Sequence, residues 1–96
     1  MQLQKLVDEI NVLSEITELN IQVFDGALWY VDGGDLCINT DENLDELLYG
    51  EGETFCFEVR GKPYKSSDGW VLFYDADNGC GTRDTIILRA DKEVTL

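Results

Sequence analysis

From Gln2 to Leu19, apolar residues recur at spacings of three and four: Leu3, Leu6, Val7, Ile10, Leu13 and Ile16. That period predicts an amphipathic helix with its stripe toward a core. Asp8, Glu9, Glu15 and Glu18 fall largely off the stripe, and Asn20 offers a stop. The period then changes to two. Ile21–Phe24 and Ala27–Val31 flank Asp25-Gly26, a strong hairpin signal, and Asp32-Gly33-Gly34-Asp35 joins the second run to Leu36–Ile38. A three-stranded antiparallel meander is expected.

Helical spacing returns between Thr40 and Gly50, where Leu44, Leu47 and Leu48 form an apolar face. Asn39 or Thr40 supplies the N-cap and Gly50 the stop. Thr54–Arg60 alternates, with Phe55, Phe57 and Val59 on one face, and so reads as a half-buried strand. Gly61–Gly69 reads as a polar loop, and Trp70–Tyr74 with Thr85–Leu88 as a hairpin. The expectation is a single domain over residues 1–96 of the α+β class. In it an N-terminal amphipathic helix packs on an antiparallel sheet of five or six strands, and a short acidic crossover helix links strands three and four. Trp29 and Trp70 are expected in the core, Tyr30, Tyr64 and Tyr74 partly so, and Tyr49 exposed at the end of the acidic helix.

Charge sharpens this picture. The chain carries a net charge of -13, yet at 44% hydrophobic it has enough apolar surface to fold. Residues 6 to 59 contain no lysine, arginine or histidine and hold fourteen of the twenty carboxylates. Such a field disfavours nucleic acid and anionic membranes as direct partners and favours a basic protein surface. The densest stretch comprises Asp32, Asp35, Asp41, Glu42, Asp45, Glu46, Glu51 and Glu53. Within one helix, Asp45 and Glu46 repeat Asp41 and Glu42 at i+4, a like-charge spacing that costs roughly 0.2–0.5 kcal/mol per pair. These eight acids and Tyr49 form the expected partner-binding set.

Catalytic chemistry finds little footing. No histidine is present, which removes the commonest general base and metal ligand. Asp75-Ala76-Asp77-Asn78-Gly79 begins like a calcium loop, but Gly79 falls fifth and Ile86 twelfth, where that loop needs glycine sixth and glutamate twelfth. No phosphate-binding loop is present, and the many carboxylates single out no acid-base pair. The chain is expected to be no enzyme and to need neither cofactor nor metal. Cys37, Cys56 and Cys80 are an odd set in a chain without a signal-peptide pattern or a membrane-length apolar run. They are expected as reduced thiols in a cytoplasmic protein.

In size and acidic composition the chain is similar to the anti-restriction and anti-CRISPR proteins of phages, and to acidic immunity proteins that neutralise nuclease toxins. The resemblance implies a small inhibitor whose carboxylates stand in for phosphates on the basic surface of a nucleic-acid-binding protein or nuclease. The alternative is a non-inhibitory cytoplasmic adaptor or housekeeping domain whose acidity serves solubility.

Overall fold

Two strands joined by only Asp25, Gly26 and Ala27 lie at opposite ends of one sheet. The computed structural model describes residues 21–50, 52–79 and 83–95. In chain order these form β1 (Ile21–Phe24), β2 (Leu28–Asp32), β3 (Asp35–Asn39), helix α1 (Leu44–Tyr49), β4 (Thr54–Val59), β5 (Tyr64–Lys65), β6 (Trp70–Asp77), β7 (Arg83–Arg89) and a 3-10 turn at Ala90–Lys92. The sheet order is β1-β7-β6-β4-β3-β2, with β5 also paired to β6.

Laid flat, the five gaps between β1 and β2 would span about 24 Å at ~4.8 Å per strand spacing. The linker reaches at most about 14 Å. The sheet therefore rolls up. Its far edge is completed by the C-terminal segment, where the Val94 N–H donates to the Trp29 carbonyl at 2.7 Å and Glu93 bridges Trp29 in parallel. Gly26 makes the corner with φ +87°, a conformation that favours glycine.

The inner layer holds Trp29, Leu36, Ile38, Phe57, Val71, Phe73, Ala76, Ile86 and Leu88. Trp29 meets Phe73 edge-on at 6.1 Å, and its indole N–H donates to the Arg89 carbonyl at 2.7 Å. A second cluster, Trp70, Leu72 and Ile87, lies on the opposite face of β6 and β7, which explains why these strands read as continuous apolar runs. The Arg89 guanidinium lies over the Trp70 ring at 4.9 Å. Each fully buried Leu or Ile contributes roughly 1.5–3 kcal/mol.

The structure corrects the expected architecture. The sheet has seven strands and is mixed, since β1 pairs with β7 in parallel. It is neither wholly antiparallel nor limited to five or six strands, and the described residues are mostly strand. The predicted N-terminal helix lies outside the described residues, and among them α1 is the only α-helix. Of the two hairpins expected in the meander, only the second forms: β2 pairs with β3, while Asp25-Gly26 turns the chain from one end of the strand order to the other. Helix α1 is no crossover, because β3 and β4 pair directly as antiparallel neighbours. The supposed loop after β4 contains β5. The β6–β7 hairpin stands as read, with β6 running on to Asp77 and β7 spanning Arg83–Arg89. Among the described residues no helix is long and apolar enough to cross a membrane.

Asn39 joins sheet to helix. It is fully buried; its amide donates to the Asn43 carbonyl at 2.7 Å and its Oδ1 accepts from the Asp41 N–H at 2.8 Å. Asn39→Ala is expected to destabilise the fold by ~1–3 kcal/mol, the usual cost of leaving buried polar groups unsatisfied. The check is a urea midpoint lowered at unchanged slope.

Candidate acidic partner-binding face

Helix α1 starts later than its leucine spacing suggests. Asn43 is the cap, its side chain accepting from the Asp45 and Glu46 N–H groups, and Gly50 ends the helix in the left-handed region. Asp41 and Glu42 therefore precede the helix, with Glu42 at φ 55°. The expected i,i+4 repulsion across four helical carboxylates does not arise. Asp45 and Glu46 instead occupy the first turn, where a helix N-terminus favours negative charge.

Of these four acids Glu42 is ion-paired and Glu46 lies back against the chain. Glu42 forms an ion pair with Lys92 at 3.4 Å. Glu46 folds back over the following turn, so that a Cβ on Gly52 would lie 2.8 Å from its carboxylate carbon. Asp41 and Asp45 are exposed, as is Tyr49 at 76%. Glu53 is exposed just before β4, and Glu51 lies outside the described residues.

Asp32 and Asp35 sit at the other end of β2 and β3, roughly 14 Å away at ~3.4 Å per residue. The structure therefore does not gather the expected set into one patch. It builds a different row. Asp32 stands opposite Asp35, Asp35 opposite Glu58, and Glu58 opposite Asp77, on four neighbouring strands. Alternation puts this row on the outer face, because Leu36, Phe57 and Ala76 point inward. Asp77 joins through the register shift between Tyr74 and Ala76, which leaves Asp75 as the extra residue and turns Ala76 into the core.

Like charges directly opposite across strands are destabilising. Within the row Glu58 pairs with Arg60 at 3.5 Å, both side chains more than half exposed, and beyond it the register sets Asp77 opposite Arg83. Asp35, Glu58 and Asp77 also border a shallow hollow of about 190 Å³. The sequence expectation omitted Glu58 and Asp77. The alternation of Thr54–Arg60 placed Glu58 on a polar face, but only the β3–β4 register shows what it faces.

One step along the same face, Tyr30 stands opposite Cys37 and Cys37 opposite Cys56. The two sulfurs are 3.0 Å apart and both thiols are free. Burial, reinforced by the hydrogen bond with Cys37, pushes the Cys56 thiol up to about 12. Hydrogen bonding to Cys37 and then burial push the Tyr30 phenol up to about 12. Both groups hold their protons more tightly folded than unfolded, where they titrate near 9.0 and 10.0. Their contribution is thus intact below pH 9 and is lost as pH rises toward 12. The urea midpoint is expected to fall over that window, and to fall less in Cys56→Ser.

Among the described residues no group of three or more metal-ligating side chains converges. No family model, no curated protein and no solved structure matches the chain.

Proposed function

We propose that the protein is a small non-enzymatic binding module that docks its outer acidic face on the basic surface of a nucleic-acid-binding protein, as an inhibitor by charge mimicry. The observation that carries this reading is the in-register row Asp32, Asp35, Glu58 and Asp77. Four carboxylates at about 4.8 Å spacing approach the charge density of one DNA strand, about one per 3.4 Å. A sheet fixes their backbone positions, so little conformational freedom is lost on binding. Repulsion along the row opposes folding, and an apposed basic surface would relieve it.

Reversing one central charge separates fold from binding. Asp35→Lys turns two repelling cross-strand pairs into attracting ones, so stability should rise by a few tenths to ~1 kcal/mol. Affinity for the basic partner should fall at least tenfold, since disrupting a desolvated charge pair costs about 2–5 kcal/mol. The paired measurements are a thermal melt and capture of the partner from a lysate, with duplex DNA added as competitor. Capture that survives Asp35→Lys, or that DNA does not displace, would overturn the reading. For Asp45→Lys with Glu46→Lys, binding should change little and stability should drop slightly as the helix N-terminus loses its acids.

The module is proposed to act in the cytoplasm. Supporting this, Cys37 and Cys56 face each other at 3.0 Å as free thiols, an arrangement that persists in a reducing compartment. Thiol titration of denatured protein prepared without reductant should count three; a count of one would contradict this placement.

A further inference from the structure

A cleft of about 390 Å³ has an apolar floor of Trp29, Val71 and Phe73 and a border carrying Arg60, Lys62 and Lys65. The floor side chains belong to the inner layer, so the cleft opens onto the core between the segment after β4 and the turn after β7. Its volume lies at the low end of the roughly 300–1,000 Å³ typical of small-molecule sites.

The border reverses the sign of the molecule. In a chain of net charge -13, three of the seven basic residues line this one cleft. Arg60 pairs with Glu58 at 3.5 Å, whereas Lys62 and Lys65 make no ion pair among the described residues. Glu93 also borders the cleft, from the C-terminal turn, which assigns an anionic head to the lysine side. A purely apolar ligand would leave these cations unused, and the small volume does not suit a macromolecule.

We propose that this cleft binds a small carboxylate with an aliphatic body, its head on Lys62 and Lys65 and its body against Trp29, Val71 and Phe73. The two lysines and the apolar floor take no part in the acidic row, so the site stands whether or not that row binds a partner. Desolvation of the apolar body supplies most of the affinity, and the lysines select the charged form over its neutral isostere.

The test is a titration of the isotope-labelled full chain with octanoate, with octanamide as the uncharged match, followed by backbone amide shifts. Saturable shifts confined to Gly61, Lys65, Val71 and their neighbours are expected. Affinity should be roughly tenfold weaker for octanamide, and roughly tenfold weaker for octanoate in Lys62→Glu with Lys65→Glu. Both lysines are exposed, and an unchanged melting temperature would show the variant folded. Should it melt early, Lys62→Gln with Lys65→Gln replaces it under the same criterion. No saturable shift at millimolar octanoate, equal binding of the two probes, shifts centred elsewhere, or an unaffected variant would overturn the proposal. So would a response to an acidic peptide but not to octanoate.

Discussion

Closure of the sheet by a three-residue linker is the constraint on which the other features rest. Because β1 and β2 occupy the ends of the strand order yet follow one another in the chain, the sheet must curl. Curling creates an inside for Trp29 and Phe73 and an outside for the polar positions of β2, β3 and β4. The hydrogen bonds from the Trp29 indole to Arg89 and from Val94 to Trp29 hold the seam. An edge strand left open would offer unpaired backbone groups to other chains, and the C-terminal segment covers part of that edge.

The polar outer face shows two opposite ways of handling buried or crowded polarity. Asn39 satisfies both ends of its amide within the connection it braces, so the site is locally relaxed. The acidic row stays crowded, and the sheet tolerates it because the apolar layer behind is continuous through Leu36, Phe57 and Ala76. Repulsion of this size is small beside the burial of those side chains.

Local elements were legible in the sequence because local signals decide them. Alternation in Thr54–Arg60, the Gly-Gly turn between β2 and β3, and the apolar runs of β6 and β7 each became the expected strand or hairpin. Partnership between distant strands was not legible. Nothing near Ile21 announces that it pairs with Thr85, and Asp25-Gly26 has the same composition whether it closes a hairpin or turns the chain between opposite ends of a curled sheet. The helix boundary was missed for a different reason: Asn39 or Thr40 was expected as cap, whereas the Asn39 side chain is buried in hydrogen bonds to the Asn43 carbonyl and the Asp41 N–H, and Asn43 caps the helix. The expected site followed density along the chain, whereas the row is dense across strands. Glu58 and Asp77 become neighbours of Asp35 only through register.

The contacts that close the sheet join residues far apart in the chain. Hairpins such as β2–β3 and β6–β7 close short loops, but the seam joins Trp29 to Arg89 across 60 residues. Loop entropy disfavours that contact until the local hairpins have shortened the loop it closes. Until it forms, β1 and the edge of β2 present unpaired backbone to the surrounding solution. The dense carboxylates of the first half of the chain keep such half-closed molecules apart by mutual repulsion. The same acidity therefore protects the chain during the interval in which its edges are open.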